Sequence, residues 1–144
     1  MFFGGDDERW SPGHRLKHLI LSNKPVAYAL TLPRERLQAW DVGQPHRSYA
    51  EIRTFYQDLL GAGARASGPF LPALTGTQAE VIAEYSGSIG LLDHDCLYWE
   101  EGDIDQYAML HPVLGLLSVR EMLYFTVLHN RHHLSGVEAR LERT

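Results

Sequence analysis

The chain has 144 residues and a formal net charge of −5, from 13 Lys and Arg against 18 Asp and Glu. With 44% hydrophobic and 22% charged residues it has the balance of one ordinary globular domain, expected over residues 1–144, which excludes disordered, collagen-like and disulfide-scaffold chains. The absence of a basic run removes the electrostatic footprint of nucleic-acid binding, the lone Cys96 cannot form an internal disulfide, and no stretch approaches the ~18 apolar residues of a membrane span. The opening MFFGGDDERW is too acidic for a secretory signal. A cytoplasmic protein without nucleic-acid or membrane partners is expected.

Ser11-Pro12 is a helix start, since a serine hydroxyl accepts an orphan amide bond and proline at the first position forfeits no needed donor. The helix carries Leu16, Leu19, Ile20, Val26, Ala27 and Leu30 at helical spacing, with Pro25 expected to bend it and Pro33 to end it. One short helical piece is expected before Pro45. Residues 48–60 place Ile52, Phe55, Tyr56 and Leu59 at a three-to-four spacing, which predicts a second helix. After a Gly- and Ala-rich break, Thr77 and Glu80 make a capping box, and Val81, Tyr85, Ile89, Leu92, Cys96 and Trp99 form a stripe reaching to about Glu100. Residues 102 through HPVLGLL read as a loop. Ser118 and Glu121 then make another capping box, flanked by Leu117 and Met122, and a last helix runs from about Val119 nearly to the end. No alternating strand pattern is visible, so the expected fold is all-α, a helical bundle.

Eight histidines stand out. Met122, Thr126, His129, His133 and Val137 share one side of the last helix, and a four-residue step stacks the imidazoles of His129 and His133 within reach of one metal ion. The competing reading is a pair of core histidines, each bonded to a hydroxyl or carbonyl. His132 projects about 80–100° away from the pair. His18 is the best third candidate, although Leu16, Leu19 and Ile20 define a stronger apolar side of its helix, and periodicity leaves its direction open.

The segment WSPGHRLKHL resembles the tryptophan–serine start of the histidine-bearing helix in DinB-like metal-binding four-helix bundles. HPVLGLLSVREMLYFTVLHNRHHL is similar to the ending of that superfamily, in which an HP, G, L-S/T, E entry leads into a final HxxxH. With GARASGPFLP, which resembles a connector in some members, the likeness spans about residues 10 to 137. It implies a bundle of about four helices in which His18, His129 and His133 are the metal ligands. Three neutral imidazoles leave positions open, as at catalytic metals. Zinc or nickel leads, with iron, manganese and cobalt also compatible. Two features depart from the pattern. Gly136 stands where many relatives have a glutamine, and only nine residues precede Trp10, so the usual first helix is missing, replaced by the helix at 48–60, covered by a partner chain, or truncated.

Weaker signals are read conservatively. His111 of the His111-Pro112 pair is expected to bond backbone in a turn, and Asp93, His94 and Asp95 to lie on a solvated face. Cys96 is expected in the core, not as a nucleophile. Tyr85 and Ser88 lie beside the same seam, where core packing is favoured over a place in the metal pocket. Trp99-Glu100-Glu101 is expected to end its helix in solvent, and for His14, one turn before His18, the absence of a site role is favoured over orienting a ligand or lining the cavity.

The leading functional expectation is a divalent-metal-dependent enzyme acting on a small molecule, with thiol transfer or hydrolysis as the class the resemblance implies. A low-molecular-weight thiol is the candidate cosubstrate, and no protein general base is identifiable. The alternative is a non-catalytic, metal-stabilised bundle that self-associates, as a homodimer, or serves a stress response.

Overall fold

The computed structural model describes residues 10–40, 45–64, 70–73 and 75–142. The first nine residues and the middle of the Gly63–Pro72 connector lie outside them. Four long helices dominate: α1 (Pro12–Thr31), α2 (Tyr49–Gly61), α3 (Gln78–Cys96) and α5 (Val119–Glu142). Among the described residues there are also the turn α4 (Glu101–Ile104), a short 3-10 turn, and three short strands, β1 (Gln38–Ala39), β2 (Tyr107–His111) and β3 (Gly115–Ser118). No described helix is long and apolar enough to cross a membrane.

The caps predicted at Ser11, Thr77 and Ser118 form, and Ser48, not predicted as a cap, caps α2 in the same way. Ser11, Ser48 and Thr77 each accept the backbone N–H three residues on, and His14, Glu51 and Glu80 return the bond. Ser118 and Glu121 do the same at the head of α5. Helix α1 continues through Pro25 and stops before Pro33, followed by a 3-10 turn at Arg34–Arg36.

The segment expected to be a loop after Gly102 is instead the centre of an antiparallel sheet of order β1-β2-β3. Met109 pairs with Leu117 and Ala108 with Ser118. Each strand is too short for its alternation to register as a pattern. What orders them is cross-strand pairing together with burial of Ala108, Met109 and Leu117 in contact with α5. Gly115, at φ +81°, permits the turn back from His111. The fold is therefore a mostly helical bundle carrying one small sheet.

Helix α1 packs on α3 and α5, and α2 packs on α5. Ile52, Leu92, Leu117, Val119, Met122 and Phe125 form the main core, with Tyr56, Ile89 and Cys96 against it. Among the described residues, α2 supplies the fourth long helix. Helix α3 ends at Cys96, before the expected Glu100. Trp99 does not run out into solvent: its indole N–H donates to Leu30 O at 2.8 Å, and the Arg34 guanidinium lies 3.4 Å above the ring.

Candidate metal centre

His18 projects from α1 and His129 and His133 from α5 into one buried cluster, with ring centroids 4.8–5.0 Å apart. One donor nitrogen from each lies within 4.8 Å of the other two. The strong apolar side of α1 reaches the core without turning His18 to solvent, because Leu16 and Ile20 pack with Val81 while His18 faces α5.

The tautomer of His18 is set by the main chain. Its Nδ1–H donates to the Phe70 carbonyl at 2.8 Å, so Nε2 carries the lone pair, and that atom faces His129 Nε2 at 3.0 Å. Two nitrogens bound to one zinc at about 2.0–2.1 Å stand about 3.3 Å apart at tetrahedral angles, so this spacing needs only slight widening. Burial holds all three rings neutral. It lowers the pKa of His18 against the opposing Phe70 carbonyl, brings His129 to about 3 with help from His18, His111 and His132, and brings His133 to about 2 with help from His129. Neutral imidazoles, one oriented by a backbone carbonyl, suit a divalent transition metal.

Trp10 closes one side, its indole 4.9 Å from His18 and stacked on His133 at 5.7 Å. The tryptophan–serine pair thus divides its labour, with Ser11 capping α1 and Trp10 folding over the histidines. Phe125 stacks on His129 at 5.1 Å. Beside the triad opens a cavity of about 720 Å³ whose wall includes Arg15, Tyr56, Phe70, His111, Thr126 and His132. Burial pushes the Tyr56 phenol up to about 12 against the opposing charge of Arg15, so it keeps its proton at neutral pH.

A family model for the DinB superfamily matches residues 5–136. The chain belongs to the DinB superfamily. No curated protein and no solved structure gives a significant match. The match takes in α1 and the part of α5 that carries His129 and His133 in this DinB-superfamily chain.

The remaining candidates fall elsewhere. His132 is exposed at the cavity rim, its ring 5.0 Å from His133. His14 does not line the cavity: its Nδ1 accepts from Ser11 N–H and caps the helix. His111 takes the expected turn role, accepting from Val113 and Leu114 N–H at 3.0 Å each, and also forms part of the cavity wall. The Cys96 thiol is half-buried and pushed up by burial and by Asp93 and Asp95. His94 is exposed, whereas Asp95 is buried beside it at 3.2 Å, a departure from the solvated face expected. Tyr85 and Ser88 stay outside the cavity wall and join a buried amide cluster with Asn23 and Asn130.

Arg15 and Tyr56 were not singled out as site residues by sequence. Arg15 lies three residues before His18, and Gly136 three after His133. Across the helix interface the two positions meet: a Cβ at 136 would come within 2.6 Å of Arg15 Nε. Where a side chain would stand at 136, this chain places a guanidinium.

Proposed function

We propose that the protein is a divalent-metal-dependent enzyme acting on a small molecule in the cavity beside His18, His129 and His133. The observation that carries this reading is the His18 pair of contacts, Nδ1–H to Phe70 O and Nε2 facing His129 Nε2, which aims a lone pair at the centre of a buried cluster. A divalent ion supplies Lewis acidity there, lowering the pKa of water or of a thiol cosubstrate so that a nucleophile exists at neutral pH.

The chain's own groups bind and orient. Trp10 and Phe125 flank the histidines and exclude bulk water from two sides. Tyr56 presents a protonated phenol, a hydrogen-bond donor for a substrate oxygen. Asn23 and Asn130 hold α1 and α5 in register, so that ligands from two helices keep a common centre. Thiol transfer and hydrolysis are the two reaction classes this arrangement suits, with zinc or nickel as the metal. A purely metal-stabilised bundle would have no use for a cavity of this size opening on its metal site.

The test is elemental analysis of protein purified without chelator, alongside His133→Ala. One metal per chain, falling below about a tenth in the variant, supports the site. Equal metal content in both would remove it. Metal-dependent turnover in a screen of thiol-transfer and hydrolysis substrates separates the enzyme from a stabilised bundle, for which metal loss lowers thermal stability alone.

A further inference from the structure

Arg15 Nη1 lies 3.0 Å from His133 Nδ1. A guanidinium has donors only, so Nδ1 is the acceptor in this bond and the ring proton of neutral His133 sits on Nε2. His18 is arranged the opposite way, with Nδ1 donating to Phe70 O and the lone pair turned inward. The His18 lone pair accepts from His129 Nε2–H, within the triad, whereas His133 is the one whose only lone pair is engaged by a cation from outside it. A metal ligand must offer that lone pair, so Arg15 must let go of His133 before the triad can close.

Where the guanidinium can go is set by its surroundings. Arg34 is paired with Asp103, Arg47 with Glu121, and Arg120 with Asp105 and Glu101. Arg15 has no carboxylate partner among the described residues, and no Asp or Glu among them lines the cavity. A half-buried cation whose partner is an imidazole gains by meeting an anion. Its seat is built: glycine at 136 leaves the α5 backbone open for the guanidinium, at the cost of about 1 kcal/mol that glycine carries inside a helix. The rest of the wall is largely apolar, and the exposed Leu71, Leu110 and Val113 extend that surface outward. One guanidinium matches one negative charge.

We propose that Arg15, seated on Gly136, is an anion subsite in the wall of the histidine cavity, taking the carboxylate of a small molecule with an apolar body and thereby freeing His133 for coordination. The coupling to metal rests on the three-histidine reading above, whereas the subsite itself stands without it. Because both ligands act through one side chain, each raises the affinity of the other.

Hexanoate, its neutral analogue hexanamide and Zn²⁺ are suitable probes. Hexanoate binding is measured by calorimetry on metal-free and zinc-loaded protein, and zinc affinity by competition with a chromophoric chelator. Wild-type protein should bind hexanoate and not hexanamide, and hexanoate should tighten zinc binding by about 5-fold or more. Arg15→Gln should weaken hexanoate by about tenfold or more in both states. The same variant should bind zinc more tightly than wild type when no carboxylate is present, and lose the coupling. Gly136→Ala, which keeps the arginine and displaces it from its seat, should also weaken hexanoate. Hexanoate binding that survives Arg15→Gln would place the anion elsewhere and overturn the proposal, as would unchanged or weaker zinc binding in that variant. If wild-type protein takes up no zinc, the metal reading fails, and hexanoate binding to the metal-free proteins still decides the subsite.

Discussion

Asn23 on α1 and Asn130 on α5 exchange side-chain amide hydrogen bonds, 3.1 Å in one direction and 2.9 Å in the other. Asn23 also donates to Ser88 Oγ, and the Tyr85 hydroxyl donates to Asn130 Oδ1, so α3 is tied to the same point. Both asparagines are buried. A buried amide pair satisfied from several sides is costly to half-remove, because each deletion strands the partner.

Asn130→Leu should therefore lower unfolding stability by about 2–3 kcal/mol, with a fall in Tm of roughly 5–10 °C. In a cycle of Asn23→Ala and Asn130→Ala the double variant should cost less than the sum, by about 0.5–3 kcal/mol. Strict additivity in denaturant titrations would mean the two amides do not act as a unit.

Glu121, with a side chain 0% exposed, takes N–H bonds from Ser118 through Oε1 and from the Arg47 backbone and side chain through Oε2. Burial alone would raise its pKa, but donation from the Arg47 side chain and from the two backbone amides outweighs that, and the net direction is down. A carboxyl depressed in the folded state contributes stability above its unfolded pKa and loses it as pH falls through the folded value. Glu121→Gln should cost about 2–3 kcal/mol near neutral pH. The gap from wild type should close on acidification. A difference that stays constant with pH would falsify the assignment.

The histidine cluster has its own acid signature in metal-free protein. His129 titrates near 6.5 in the unfolded chain and about 3 when folded. Below the first value the unfolded chain takes up a proton that the native state refuses, so stability falls with pH toward the second. Each such histidine adds a slope of about 1.4 kcal/mol per pH unit. Unfolding midpoints followed from about pH 7 to pH 4 should show this decline, and His129→Gln should flatten it by one proton. An identical slope in the variant contradicts burial of the neutral ring.

Trp10 offers an optical reporter. Its indole lies 4.9 Å from His18 and 5.7 Å from His133, whereas Trp99 is engaged with Leu30 O and Arg34. Binding of a paramagnetic ion such as Ni²⁺ or Co²⁺ should quench part of the tryptophan emission. Trp10→Phe should abolish that response while retaining metal. Quenching that persists without Trp10 would put the ion near another indole.

The candidate centre was legible in part. HxxxH at 129 and 133 follows from helical period alone, because a four-residue step must stack two side chains on one face. His18 was only the best third candidate on residue type and position, since the apolar side of α1 pointed elsewhere, and the resemblance was needed to make it a ligand. Arg15 was invisible because its role depends on a gap at Gly136, more than a hundred residues away in the chain.

Local chemistry in the chain determined where helices begin and end, since caps, prolines and apolar period act within a few residues: Ser11, Ser48, Thr77 and Ser118 each mark a helix start. Tertiary structure alone decided the sheet, the inward turn of His18, the Asn23–Asn130 tie and the seat of Arg15. Those depend on contacts between segments distant in sequence, and the free energy that selects them, burial and satisfaction of polar groups, exists only once the helices have packed.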